Sequence, residues 1–225
     1  MSSLEEAQKL VKALSGTVNI FKVGKELFTS AGPDVVKMVH SHGGKVFLDL
    51  KFHDIPNTVG AACESAVKLG VFMLNVHASG GKNMMISAVQ AVHKTSQEKK
   101  ITAPLILGVT VLTSMTENDL REVGVKRKLK DQVEALAMLS EKSGLDGVVA
   151  SGQEIESIRK VTGPKFLVVT PGVRPVWATH QDQKRIVTPR EAIAKGANFI
   201  VVGRPITQAL DPKDAAKKVL GELSN

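Results

Sequence analysis

Asp49, Lys51 and Asp54 fall in the single stretch Asp49-Leu50-Lys51-Phe52-His53-Asp54-Ile55-Pro56-Asn57, and Lys22 lies one strand–helix unit earlier in Phe21-Lys22-Val23-Gly24. Alternate side chains on a strand share a face, so Asp49 and Lys51 are expected to point the same way. That face begins with the apolar Val46-Phe47-Leu48, so neither charge serves solubility alone. Charges at such a place must be paired, and paired charges at a strand end point to chemistry. The structural alternative for Lys22, Asp49, Lys51 and Asp54 is a salt-bridge network that closes the mouth of a barrel.

The elements that must position these groups are written as short apolar, β-branched runs at 18–23, 46–50, 72–76, 105–111, 147–150, 166–170 and 199–202. Continuous runs of this length suit parallel strands buried on both faces. Helix patterns lie between them, several closed by glycine: 33–41 before Gly43, 58–69 before Gly70, 129–143 before Gly144 and 189–195 before Gly196. Seven strands and eight helices result, and the βαβα repetition runs unbroken, so one α/β domain over residues 1–225 is expected. The chain opens with a helix. Ser3-Leu4-Glu5-Glu6 reads as its capping box, and Leu4, Ala7, Val11 and Leu14 form its apolar stripe. A closed (β/α)8 barrel needs a strand before that helix, and none is written here.

In a barrel of this kind functional groups collect at the C-terminal ends of the strands. Those ends carry, in order, Lys22, Asp49 with Lys51, His77, Thr113 with Ser114, Ser151, Arg174 and Gly203-Arg204. Lysines, hydroxyls and arginines together make an anion-binding mouth. Val201-Val202-Gly203-Arg204-Pro205-Ile206-Thr207 is a strand that ends in glycine and enters a helix, which suits a phosphate. Gly203 lets the backbone come close, and Arg204 supplies a two-pronged guanidinium. A plain strand-to-helix turn would have little need of that arginine. The polar stretch 171–188 is far longer than the ~2–6 residues usual for a βα loop, so it is read as a lid. Arg174 and Gln183 are its expected ligand contacts; Trp177 and Arg185 are read as packing or solvating the loop. His77-Ala78-Ser79-Gly80-Gly81 is read as a tight turn with a supporting histidine. His53 beside Asp54 invites a metal, but no third ligand has the spacing to join them, and none is expected.

Composition narrows the partners. The net charge is +8 over 225 residues, which suits nucleic acid, an anionic membrane surface or a phosphorylated small molecule. The basic residues are spread along the chain, and with no Tyr, one Trp and seven Phe a base-stacking platform is not expected. Cys63 is the only cysteine, which excludes an intrachain disulfide and a thiolate zinc cluster; it is read as a small buried helix residue. No apolar stretch approaches the ~18 residues of a membrane span, and no signal-peptide pattern opens the chain, so a soluble cytoplasmic protein is expected.

Phe21–Gly24, 47–59 (FLDLKFHDIPNTV), 76–81 (VHASGG), 109–114 (VTVLTS), 170–175 (TPGVRP), 182–185 (DQKR) and 201–208 (VVGRPITQ) together resemble the orotidine 5'-phosphate decarboxylase family of the bacterial type, over nearly the whole chain and in order. The resemblance implies a (β/α)8 TIM barrel, a homodimer, and decarboxylation of orotidine 5'-phosphate to UMP with no cofactor and no metal. Carried over by motif, Lys22, Asp49 and Lys51 belong to one subunit, while Asp54 and Thr58 reach into the neighbour's site. Thr113 contacts the nucleotide, Pro171 lines the pocket, and Arg174, Gln183, Gly203 and Arg204 hold the phosphate and close the lid. Ser114 touches the pyrimidine. Lys51 protonates C6 after CO2 leaves. Family members begin with a strand ending in a substrate-contacting Asp; the expected fold is therefore the barrel with its first strand absent from this chain. The alternative is a metal-dependent sugar-phosphate decarboxylase or lyase of the same superfamily, which shares Asp-x-Lys-x-x-Asp. It needs a carboxylate ligand where Lys22 stands.

Overall fold

The alternating runs assemble, in a computed structural model that describes residues 2–178 and 187–224, into one parallel sheet whose seven strands lie side by side in chain order. The strands are β1 (Ile20–Gly24), β2 (Lys45–Phe52), β3 (Met73–His77), β4 (Leu105–Val109), β5 (Gly147–Val149), β6 (Leu167–Pro171) and β7 (Phe199–Val201). The helices are α1 (Leu4–Leu14), α2 (Lys25–Ala31), α3 (Asp34–Ser41), α4 (Pro56–Lys68), α5 (Lys82–Lys99), α6 (Glu117–Glu122), α7 (Leu129–Lys142), α8 (Ile155–Val161), α9 (Pro189–Ala194), α10 (Arg204–Thr207) and α11 (Pro212–Ser224). A 3₁₀ turn, Ala78–Gly80, follows β3. This is the near-barrel expected of a (β/α)8 fold with one strand fewer.

Strand alternation divides the core in two. Phe47, Met73, Leu107, Val109, Val149 and Val169 form an inner cluster, whereas Val46, Leu48, Leu74, Ile106, Val148 and Val168 pack outward against the helices. Both faces are therefore apolar, as a sheet jacketed by helices requires. On α1, Ala7, Val11 and Leu14 are buried, but the capping box is only half formed. Ser3 Oγ accepts from the Glu6 N–H at 3.2 Å, while the Glu6 carboxylate accepts from Ser2 rather than from Ser3. The first and last strands, β1 and β7, together with α1 and α11, line one apolar cavity of about 420 Å³.

Two local devices position the site. After Ile55, Pro56 starts α4, and Ser87 Oγ on α5 donates to the Pro56 carbonyl at 2.8 Å. Gly60 makes this approach possible, since a Cβ there would meet Ser87 Oγ at 3.0 Å. At the other side of the mouth, Thr188 and Glu191 form a complete capping box for α9, and the Arg174 N–H donates to the Val187 carbonyl at 3.0 Å. The base of the long 171–188 loop is thereby tied to the barrel.

Candidate active site

The β1–β2 register sets Lys22 opposite Phe47 and Gly24 opposite Asp49, so Lys22 and Asp49 meet on the inner face at the strand ends. Lys22 Nζ lies 3.0 Å from Asp49 Oδ2, and Lys51 Nζ lies 2.6 Å from Asp49 Oδ1. Asp49 and Lys51 do point the same way, but not through a flat strand. Leu48 pairs with Leu74 and Phe52 with Val76, so β2 carries a bulge against β3, and Lys51 has the left-handed φ of 52°. Within that bulge the buried Asn75 side chain accepts from the Lys51 N–H at 2.8 Å and donates to Asp49 Oδ1 at 2.7 Å.

The energetics argue against a network kept for stability. At an effective dielectric near 20, unit charges about 3 Å apart attract by roughly 5 kcal/mol. Partial desolvation costs several kcal/mol per ion, so such pairs come close to break-even. What the arrangement secures is charge at a chosen place. Burial pushes the Asp49 carboxyl up, but the Lys22 charge, hydrogen bonds from Lys51 and Asn75, and the Lys51 charge together bring it below the ordinary carboxylate range. It is ionised at neutral pH, flanked by two ammonium groups.

His77 ends β3 with its ring 5.4 Å from that of His53. Burial, aided by His53, Lys25 and Lys51, lowers its pKa to about 4 against the opposing pull of Asp49, so it is a neutral neighbour of the array. The His53–His77 pairing escaped the sequence spacing. Among the described residues no group of three His, Cys, Asp or Glu could hold a metal ion.

Other candidates are placed as follows. Asp54 and Thr58 are exposed, with Ile55 between them 66% exposed. Asp54 Oδ1 accepts from the Ile55 N–H at 2.6 Å, and among the described residues the ion pairs of the array join Lys22, Asp49 and Lys51. Thr113 and Ser114 form an exposed turn after β4, and half-buried Pro171 ends β6 opposite Val201. Ser151 is buried, its N–H bonded to the Glu154 carboxylate at 2.9 Å, and it serves its own turn. Arg174, only 7% exposed, and Arg204 line one cavity of about 340 Å³ together with Trp177, Ala178, Pro205, Gln208 and Ala209. Trp177, read from sequence as loop packing, thus belongs to the wall shared by the two arginines. A Cβ on Gly203 would meet nothing within 4 Å, so the space before it is open. Gln183 lies outside the described residues. Cys63 is fully buried on α4, and burial pushes its thiol up to about 12, which makes it inert.

Asn75 is the residue that sequence reasoning missed. Its signal was a single amide inside the otherwise apolar Met73-Leu74-Asn75-Val76, at an inward-facing position.

A family model described as "Orotidine 5'-phosphate decarboxylase / HUMPS family" matches residues 1–219. An orotidine 5'-phosphate decarboxylase of Syntrophotalea carbinolica is 54% identical over 97% of this chain and 89% of its own length. One from Syntrophomonas wolfei is 52% identical over 99% of this chain and 94% of its length. The crystal structure of the Lactobacillus acidophilus orotidine 5'-phosphate decarboxylase superposes with a TM-score of 0.88 at 39% identity, covering 100% of this chain and 96% of that one.

Proposed function

Since the chain belongs to the orotidine 5'-phosphate decarboxylase / HUMPS family, we infer that it decarboxylates orotidine 5'-phosphate to UMP, without cofactor or metal. The observation that carries this reading is the Lys22–Asp49–Lys51 array at the barrel mouth. Breaking the bond from C6 to the carboxylate releases CO2 and leaves the electron pair on C6. The pyrimidine ring stabilises that carbanion poorly, so the site must favour the transition state electrostatically. The Lys51 ammonium faces the developing charge and then donates a proton to C6. Asp49, ionised, hydrogen-bonded through Oδ1 and ion-paired to Lys22 through Oδ2, holds Lys51 and Lys22 in place and stands against the departing carboxylate.

Arg174, Arg204, the Gly203 backbone and Gln183 hold the phosphate, with Thr113 on the nucleotide and Pro171 lining the pocket. Binding energy gathered there, away from C6, is available to close the 171–188 loop over the reaction. Two copies of the chain form a homodimer in which Asp54 and Thr58, exposed on one subunit, complete the neighbour's array. The metal-dependent sugar-phosphate branch is disfavoured by an ammonium group, Lys22, where it needs a carboxylate ligand.

The test is loss of orotidine 5'-phosphate absorbance in EDTA. Turnover is expected, and Lys51→Ala should abolish it while UMP still binds. Silence on orotidine 5'-phosphate, with Mg²⁺-dependent cleavage of a keto-acid sugar phosphate, would move the assignment to the other branch.

A further inference from the structure

We infer that Asn75 is a positioning residue: by holding the Lys51 backbone and the Asp49 carboxylate at once, its amide sets where the Lys51 ammonium stands. The inference deepens the decarboxylase reading of this site and rests on it.

Asn75 is fully buried on β3 between the apolar Leu74 and Val76. A buried amide is costly without partners, and here both of its ends are used. The Lys51 N–H can only donate, so it must face Asn75 Oδ1, which turns Nδ2 towards Asp49. Lys51 is one of two described non-glycine residues with positive φ, and it sits where β2 loses register with β3. A left-handed non-glycine residue persists only where its surroundings hold it. The bulge disrupts the ladder, and Asn75 offers the acceptor that replaces it. The same amide shares Asp49 Oδ1 with Lys51 Nζ, which stands 2.6 Å away, so backbone and side chain of Lys51 are referenced to one neutral group.

The amide adds no charge to a site where charge is the working element. The charged and titratable groups around it are Asp49 and Lys51 on β2, Lys22 on β1 through Asp49, and His77 two residues along its own strand. On the other side β4 presents the apolar Leu107.

Asn75→Leu removes both hydrogen bonds while keeping the branched shape at Cγ. Asn75→Asp keeps the acceptor for Lys51 and, when protonated, supplies a donor to Asp49. For Asn75→Leu, kcat on orotidine 5'-phosphate should fall about 100-fold, the scale of an ångström's misplacement. KM and UMP affinity should stay within about threefold of the unsubstituted chain, since binding is not what Asn75 supplies. In Asn75→Asp, adjacent carboxyls raise one apparent pKa, so kcat should be low at neutral pH and recover as pH falls. Loss of packing alone would not produce that recovery.

A kcat for Asn75→Leu within about threefold of the unsubstituted chain overturns the inference. A pH profile for Asn75→Asp parallel to that of the unsubstituted chain does the same. Hydrogen exchange at the Lys51 amide gives a reading independent of activity. Its protection should drop about tenfold or more in Asn75→Leu and survive in Asn75→Asp; unchanged protection in Asn75→Leu overturns the inference. If the unsubstituted chain does not turn over orotidine 5'-phosphate, the decarboxylase reading fails, and the exchange measurement alone then decides whether Asn75 positions Lys51.

Discussion

At the scale of the residue, the site separates groups by the protonation state that their surroundings enforce. Asp49 is held below the carboxylate range and His77 is lowered to about 4, so near neutral pH the first is an anion and the second is uncharged. The two act on stability in the same direction but in different windows. For His77 the unfolded chain takes up a proton near 6.5 that the native chain refuses until about 4, so stability is full above 6.5 and declines down to about 4. For Asp49 the contribution is present above 3.8 and is lost as pH falls further, through its lowered value. His77→Gln should therefore flatten the fall of Tm between pH 6.5 and 4, leaving the loss below that range. Thermal melts of the two proteins across that range check this; parallel curves would assign the sensitivity to other groups.

At the scale of the element, the inner face works because strand residues are sized to their partners. Gly147 pairs with Leu167, and a Cβ on it would overlap the Leu167 carbonyl oxygen and lie 2.6 Å from Leu167 Cβ. Neither backbone can retreat without breaking the β5–β6 ladder. Gly147→Ala should cost about 1–3 kcal/mol, the range for overpacking, read as a lower urea midpoint at unchanged m-value. A neutral result would mean that β5 is free to shift. The strands were readable beforehand, whereas eleven α-helices stand among the described residues where eight were expected. All seven strands lie on the apolar runs, with ends moved by a residue or two, and α4 begins at Pro56 rather than at 58 because proline suits the first helical turn. The β2 bulge was not readable. A bulge depends on how β2 registers against β3, and Val46–Phe52 carries no glycine to mark it.

At the scale of the whole molecule, the near-barrel leaves Asp54 and Thr58 exposed, with Asp54 Oδ1 accepting from the Ile55 N–H. The shared-site dimer is proposed from the family resemblance, and exposed Asp54 and Thr58 are consistent with it. Lys51→Ala and Asp54→Ala should each be nearly silent as homodimers. Mixed in equal amounts after subunit exchange, they should recover about a quarter of full activity, because half of the dimers carry one intact site of two. No recovery on mixing would place Asp54 in its own chain's site, and an active Asp54→Ala homodimer would place it outside catalysis. Among the described residues no helix is long and apolar enough to cross a membrane.

Local pattern was enough to identify the strands, most of the helices, the charged pair on β2 and the family, because periodicity and motif spacing are properties of neighbouring residues. Long-range placement was not contained in them. Asn75 meets Asp49 from 26 positions away, and Arg174 shares a cavity wall with Trp177 and Arg204. Those meetings depend on strand register and on how far the sheet curls, which are set by the packing of both faces at once. No single segment carries that information, so only the folded chain could decide it.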